Sequence, residues 1–438
     1  MNNVHFITLG CSKNDVDTSQ MQSLLNKDKF TVSDDINESD IIVVNTCGFI
    51  DSAKEQSIDT IINAAKYKEQ GNCKNLIVAG CLAQRYPEEL MDEIPEIDYI
   101  VGTGNFYEIN EILEESLKGK RDIKTNNLNN EYLEGTKKDK VNITEYVKIS
   151  EGCNNNCTYC IIPKLRGKNR SRKMEDIYSE VEYLTDKGAE EIILIAQNTT
   201  DYGIDIYNDY KLDELVRNLS KIEKLKWIRI MYLYPDNITP GLIEEFKNND
   251  KLLKYVDIPL QHISDSILKR MNRNTSKAQV QNIINKLRKN IEDISIRTTL
   301  ILGFPGESEE DFDELLEFIK FNKFDKLGAF KYSREEGTPA FNMKNQISDD
   351  IKEYRYDKLM ELQKDISNDL NYNRLGKTYE VLIEEKVDDN NYIGRAYFDA
   401  PDVDGIIYIS SDRIIEKPGF YDVKIIDTME YDLIGELL

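Results

Sequence analysis

The chain has 438 residues, with 57 lysines and arginines against 80 aspartates and glutamates, a formal net charge of −23. That length suits about three domains, and 40% apolar residues exclude a chain that stays disordered. The acidity argues against a broad grip on a phosphate backbone. No apolar run reaches the roughly 18 residues of a membrane span, and the start Met1-Asn2-Asn3-Val4-His5 lacks the basic, then apolar pattern of a signal peptide. The expectation is a cytoplasmic protein whose seven cysteines serve metal or redox chemistry, not structural disulfides.

An α/β multidomain chain is predicted, in three regions: 1–138, 139–375 and 376–438. In the first, short apolar strands run from Val4 to Leu9, Ile41 to Val44 and Asn75 to Ala79, ending at Gly10-Cys11, Asn45-Thr46-Cys47 and Gly80-Cys81. Helical patterns lie between them, and Ser52-Ala53-Lys54-Glu55 predicts a capping box at the start of the longest. Alternating strands and helices imply a parallel sheet, whose C-terminal edge is where such sheets build sites. Residues 118–140 are polar and predict a linker. In the second region, six strands separated by helices (Glu145 to Ser150, Glu191 to Ala196, Trp227 to Met231, Tyr255 to Ile258, Ser295 to Leu302, Lys326 to Lys331) fall short of the eight of a closed barrel. They predict a partial (β/α)6 barrel. Ile351 to Leu375 predicts one long helix. The third region alternates over short runs broken at Asp388-Asp389-Asn390-Asn391 and Pro418-Gly419, the pattern of a small all-β barrel.

Cys153, Cys157 and Cys160 form Cys-x-x-x-Cys-x-x-Cys after the second region's first strand. Thiolates are soft ligands that suit iron–sulfur clusters or zinc. Three of them suit a four-iron cluster with one iron open, whereas structural zinc usually takes four ligands. Buried thiols, or a zinc site with a borrowed ligand, are the alternatives. Cys11, Cys47 and Cys81 carry a weaker signal in spacing, strengthened by their shared position at strand ends. They form a second trio, or else three small residues in the sheet's edge. Cys73, in a turn between helix and strand, is expected to be a free thiol.

The Cys153–Cys160 spacing is similar to that of the radical S-adenosylmethionine superfamily, in which the open iron chelates S-adenosylmethionine and an electron from the cluster yields a 5′-deoxyadenosyl radical. Tyr159 stands where that superfamily usually has an aromatic residue, though core packing explains it equally. Taken whole, the chain resembles the superfamily's methylthiotransferases: an N-terminal cluster domain, a radical domain and a terminal TRAM barrel. The stretches Leu9-Gly10-Cys11-Ser12-Lys13-Asn14, Asn45-Thr46-Cys47-Gly48-Phe49-Ile50-Asp51-Ser52-Ala53-Lys54-Glu55 and Gly80-Cys81-Leu82 resemble the branch that modifies ribosomal protein S12. The run Cys157-Thr158-Tyr159-Cys160-Ile161-Ile162-Pro163, with Arg166-Gly167 and Arg170-Ser171-Arg172, is common to the family. Asn198, in Ala196-Gln197-Asn198-Thr199-Thr200, departs from the aspartate usual in that branch.

The resemblance implies that a hydrogen on the β-carbon of an S12 aspartate is replaced by a methylthio group. Two S-adenosylmethionine molecules are used per turnover, one for the methyl and one for the radical. Cys11, Cys47 and Cys81 would hold a sulfur-delivery 4Fe-4S cluster, and Cys153, Cys157 and Cys160 the radical 4Fe-4S cluster. S12 would be met free or within the small ribosomal subunit, a flavodoxin or ferredoxin would supply electrons, and the protein would be a monomer. Competing readings are methylthiolation of a tRNA adenosine and a non-catalytic electron carrier. Electron carriers normally give each cluster four protein ligands.

No catalytic residue is assigned beyond the cluster ligands. Candidates for contact with S-adenosylmethionine are Tyr159, Gln197 at a strand end, Gly303 in Gly303-Phe304-Pro305-Gly306-Glu307, and Arg172. Arg172 belongs to a basic run with Lys164, Arg166, Lys168, Arg170 and Lys173 that could also bind RNA or remain a solvated loop. His262 is expected to be structural, as is His5. The terminal barrel has six basic residues and fifteen acidic ones from 377 to 438. Its carboxylates, Asp399, Asp402 and Asp404 among them, are expected to repel RNA and attract a basic protein.

Overall fold

A computed structural model describes residues 1–128, 134–135 and 137–438. The N-terminal region is a six-stranded sheet of β1 (Asn2–Thr8), β2 (Phe30–Val32), β3 (Ile41–Thr46), β4 (Asn75–Gly80), β5 (Ile97–Val101) and β6 (Asp122–Lys124). Their spatial order is β2-β1-β3-β4-β5-β6 and every pairing is parallel. The runs Ile41–Val44 and Leu76–Ala79 are fully buried, as central parallel strands covered on both faces must be. One face packs on Met21, Leu25, Ile109 and Leu113 and the other on Ile61, Ala64, Leu90 and Met91.

Two expectations change here. The helix after Cys47 spans Asp51–Ala65 and starts from Ile50 with no side-chain cap, so Ser52 lies inside it. Lys54 instead pairs with Asp51 and with Glu335 across the molecule. The stretch 118–140 is not wholly a linker: β6 pairs with β5 at the sheet edge, where Arg121 Nε donates to the Ile97 carbonyl at 2.8 Å. Residues 129–133 and 136 of that stretch lie outside the described residues.

The second region carries β7 (Thr144–Lys148), a short ribbon of β8 (Ser150–Glu151) and β9 (Arg170–Ser171), then β10 (Glu191–Ile195), β11 (Trp227–Ile230), β12 (Tyr255–Gln261), β13 (Ser295–Leu302) and β14 (Lys326–Lys331). The six long strands form two parallel three-stranded sheets, β7-β10-β11 and β12-β13-β14. Leu233 N donates to the Asp257 carbonyl at 2.9 Å across the break. Alternate residues point to opposite faces: Ile192, Leu194, Ile228 and Ile230 pack on the outer helices, while Ile193, Ile195, Trp227 and Tyr255 face inward. Val16, from α1 (Ser12–Leu24), and Leu382, Ala400 and Phe420 of the third region join that inner cluster. A helix over Asp349–Tyr372 then leads out.

The third region is a closed barrel of β15 (Thr378–Lys386), β16 (Asn391–Ala396), β17 (Ile407–Ser410), β18 (Gly419–Thr428) and β19 (Leu433–Leu437), in the order β15-β16-β17-β19-β18. It docks under the N-terminal ends of the larger barrel's strands. Arg395 pairs with Glu191, the first residue of β10, at 2.7 Å, and Arg229 Nε reaches the same carboxylate at 2.9 Å. Trp227, which opens β11, meets Phe420 edge-on at 4.6 Å. Among the described residues no helix is long and apolar enough to cross a membrane.

Candidate metal centres

Cys11, Cys47 and Cys81 follow β1, β3 and β4, three neighbours in the sheet. Glycines make their approach possible. Gly10 has φ +98°, and a Cβ there would stand 2.8 Å from Cys47 Cβ. A Cβ on Gly48 would stand 2.8 Å from the Leu82 backbone, beside Cys81. The Cys47 backbone is fixed by Ser57, whose Oγ donates to its carbonyl at 2.9 Å and accepts its N–H at 3.1 Å. Cys11 is exposed, Cys47 half-buried and Cys81 buried. Burial pushes the Cys81 thiol up to about 11 and raises Cys47; the other thiols of the trio add to the rise, and the Arg166 guanidinium opposes it.

The second trio occupies the loop from Glu151 to the helix Ile162–Arg166. Cys153 N donates to the Gly167 carbonyl and Cys160 N to that of Cys157, both at 3.1 Å. Thr158 anchors the loop's middle, its N–H on Met271 O and its hydroxyl on Arg270 O. Burial raises Cys153 to about 11 and Cys160 to about 12. Tyr159 packs edge-on to Phe304, and its hydroxyl accepts from Arg273 at 3.2 Å. Arg273 in turn lies over the Tyr234 ring, 4.3 Å from its centroid.

The two loops adjoin. Cys81 shares an apolar cluster with Ile161, which directly follows Cys160, and Leu165 of the helix after it. Arg166, from the helix after the second trio, reaches back to the first domain. It pairs with Asp17 at 2.9 Å and with Glu151 at 3.0 Å, and donates to Asn14 Oδ1 at 2.7 Å. Lys148 completes this buried network on Asp17 and Glu151. The loop after β14 touches both sides: Glu335 takes Lys54 at 2.9 Å and Arg85 at 2.8 Å, and Ala340 N donates to the Thr158 carbonyl at 2.9 Å. All six cysteines are free thiols. Among the described residues no three His, Cys, Asp or Glu side chains converge tightly enough for a single metal ion. A cluster held at separate corners needs no such convergence, and two sets of soft, undisulfided donors fit it.

The remaining candidates divide. Gln197 Nε2 donates to Glu151 Oε1 at 2.7 Å, while its own Oε1 is buried without a partner. Gly303, at φ +69°, is required by packing, because the Lys352 side chain fills the space a Cβ would take. Arg172 is buried and engaged inside the barrel wall, by Asp176, by Glu180 at 2.5 Å and by the Lys148 carbonyl at 3.0 Å. Two carboxylates and a carbonyl therefore already engage its guanidinium. In the same basic run Arg166 is buried in the interdomain network, while Lys164, Lys168 and Lys173 are exposed. His262 accepts the Ser264 N–H at 3.0 Å, and burial lowers it to about 4. His5 bonds the Ser33 carbonyl. Cys73 sits just before β4, at the end of the sheet opposite Cys81. Asn198 caps the turn Thr199–Asp201, accepting from Thr200. Sequence reasoning passed over Lys13, Asp17 and Glu335, whose partners come from other domains and leave no local signal, and Glu151, which meets Lys148, Arg166 and Gln197 of its own region.

Three families match the chain: "Uncharacterized protein family UPF0004" over residues 3–102, the Radical SAM superfamily over 147–319 and the TRAM domain over 375–438. The fold and its cysteine loops therefore define a radical SAM enzyme with an added cysteine-bearing sheet domain and a TRAM barrel. Among curated relatives, the ribosomal protein uS12 methylthiotransferase RimO of Clostridioides difficile is 51% identical over 433 residues, covering 98% of each chain. That of Thermoanaerobacter sp. is 48% identical over 438 residues, covering all of both. The chain belongs to the RimO family of radical SAM methylthiotransferases. Solved structures share the fold at low identity. The radical S-adenosylmethionine methyltransferase TsrM of Kitasatospora setae has a TM-score of 0.58 at 12% identity, over 77% of this chain and 74% of that one. The cobalamin-dependent radical enzyme OxsB has a TM-score of 0.53 at 14%, over 84% and 56%.

Proposed function

We propose that this chain methylthiolates the β-carbon of an aspartate in ribosomal protein S12, with Cys11, Cys47 and Cys81 holding one 4Fe-4S cluster and Cys153, Cys157 and Cys160 the other. The observation that carries the reading is the adjoining of the two cysteine loops through Cys81, Ile161 and Leu165. When bound, the clusters and S-adenosylmethionine supply the radical that activates the C–H bond and the sulfur and methyl that replace the hydrogen. The chain supplies placement. Ser57 and the glycines at 10, 48 and 80 fix the first loop, Thr158 fixes the second, and the Asp17–Lys148–Glu151–Arg166 network with Glu335 holds the two together. Such placement turns separate reactants into neighbours.

The acidic TRAM barrel supports a basic protein partner over RNA, but of the carboxylates first expected only Asp402 is exposed. Asp399 is buried against Lys326, and Asp404 binds Arg297 and the Tyr255 hydroxyl. Asp412, Glu416 and Asp422 are exposed, and they suit long-range attraction of a basic surface that weakens with salt. Mass spectrometry of S12 from cells with and without the gene tests the function: one methylthio substitution on an aspartate is expected, present only with the gene. An unmodified S12 together with a methylthioadenosine lost from tRNA would refute it in favour of the tRNA reading. Electrons from a flavodoxin or ferredoxin and a monomeric state complete the proposal.

A further inference from the structure

We infer that Lys13 receives the side-chain carboxylate of the aspartate being modified and so selects an acidic target. This rests on the methylthiotransferase reading and names part of its substrate site. Lys13 stands two residues beyond Cys11 in the first turn of α1 and is 8% exposed. Its ammonium lies 3.4 Å from the centroid of the Tyr232 ring, and among the described residues that ring is its one recorded partner. Other buried cations of the interior have carboxylates: Lys148 and Arg166 have Asp17 and Glu151, Arg229 and Arg395 have Glu191, and Arg355 has Glu307. A buried ammonium without an anion is costly, and a ring face offsets only part of that cost. A ligand carboxylate is the group that would satisfy it.

The placement supports this. Tyr232 follows β11 on the C-terminal rim and holds φ +63°, a strained conformation for a non-glycine residue of the kind that collects at functional sites. It is fixed there by its N–H on Asp257 Oδ2 at 2.9 Å and by Thr199, whose N–H and hydroxyl both donate to its carbonyl at 3.1 Å. Lys13 is thereby held between the first cysteine loop and the barrel rim. Arg273, the other buried rim cation without a carboxylate, bonds Tyr159 inside the second loop and so belongs to that side. The β-carbon of an aspartate is one bond from its carboxylate carbon. Anchoring that carboxylate at Lys13 therefore brings the reacting carbon to the junction of the two loops. An adenine ring offers no anion for this position.

The test measures binding of full-length, anaerobically reconstituted protein to S12 and to S12 with the target aspartate changed to asparagine. The wild-type protein should prefer the aspartate form by roughly 10- to 100-fold, and Lys13→Met should bind both forms alike. Should Lys13→Met fail to fold, Tyr232→Leu removes the ring and leaves the cysteine loop intact, and should shrink the preference several-fold. A preference that survives in the folded Lys13→Met protein, or that is unchanged in Tyr232→Leu when Lys13→Met does not fold, overturns the inference and leaves the function standing. A wild-type protein that binds both forms of S12 equally also overturns it. Failure to bind S12 in either form, with tight binding of tRNA, overturns the function and this inference together.

Discussion

Arg395→Met should loosen the TRAM barrel from its dock. Arg395 is 2% exposed and holds Glu191 at 2.7 Å and Glu384 at 2.6 Å, with a further bond to the Asp399 carbonyl at 3.0 Å. Glu384 is 27% exposed and can be rehydrated, but Glu191 is fully buried and would keep only Arg229 and the Thr144 hydroxyl. Breaking a buried ion pair from one side costs about 3–5 kcal/mol. With Arg229 still in place we take about 3 kcal/mol, roughly a 150-fold change in the docking equilibrium. The reporter is built in: Trp227 is the single tryptophan, and it packs on Phe420 of the TRAM barrel. In urea, Trp227 emission should change at lower denaturant in the variant, ahead of the loss of far-ultraviolet circular dichroism. Burial raises the Glu191 carboxyl, and the Arg395 and Arg229 guanidiniums outweigh that and keep it low. A carboxylate held low stabilises the fold above its unfolded value near 4.5, and that contribution fades on acidification. Without Arg395 the buried carboxylate becomes a liability, so the variant's deficit should shrink as pH falls and the carboxyl protonates. Glu191→Gln combined with Arg395→Met should cost less than the two single losses added together, though Arg229 is then left without its carboxylate. A single variant that loses less than about 1 kcal/mol, or a double variant no better than the sum of its parts, would refute the reasoning.

The cysteines should separate by role. Reconstituted protein should hold about eight irons; Cys153→Ala should abolish formation of 5′-deoxyadenosine, whereas Cys47→Ala should retain it without methylthio product, and Cys73→Ala should keep the full iron content. Full product from Cys47→Ala would remove the first trio from sulfur delivery. His262 is lowered by burial from 6.5 to about 4, so the unfolded chain takes up a proton that the folded one refuses as pH falls between those values, and stability drops with it. His262→Asn should therefore gain stability relative to wild type on acidification across that window, read as the shift between paired urea midpoints, and a constant difference would contradict the assignment. Gly80→Ala should cost about 1–3 kcal/mol for its left-handed backbone alone, more from contact with the Thr46 carbonyl at 2.6 Å. It should lower the iron of the first site while leaving that of the second, which iron analysis in a Cys153→Ala background can resolve.

What the sequence made legible is what local pattern encodes. Ile41–Val44 and Leu76–Ala79 are apolar throughout because both their faces are covered, and that places Cys47 and Cys81 at one edge without knowledge of the fold. The six long strands of the barrel were visible for the same reason. The break between β11 and β12 was not, since it depends on how strands pair and not on what they contain. Residues whose partners lie far along the chain stayed silent. Asp17 meets Lys148 and Arg166, and Glu335 meets Lys54 and Arg85, each across more than a hundred positions. Arg172 likewise carries in its sequence no mark of Asp176 and Glu180, which pair with it. Asp399 and Asp404 were read as surface charge because an acidic domain gives no hint of which carboxylates are consumed in its own docking.

The TRAM barrel sits under the strand starts, at Glu191 and Trp227, while both cysteine loops crown the strand ends. Five strand residues rise roughly 16 Å, so a grip made by the far end of this barrel lies well away from the bond to be changed. A short peptide holding the target aspartate could reach the rim and never touch the barrel. A folded partner that spans the height of the domain could engage both at once, and the second contact would then form at the high effective concentration of a tethered pair. Fidelity would thus come from a ruler as well as from a pocket, with the partner's own shape as the measuring edge.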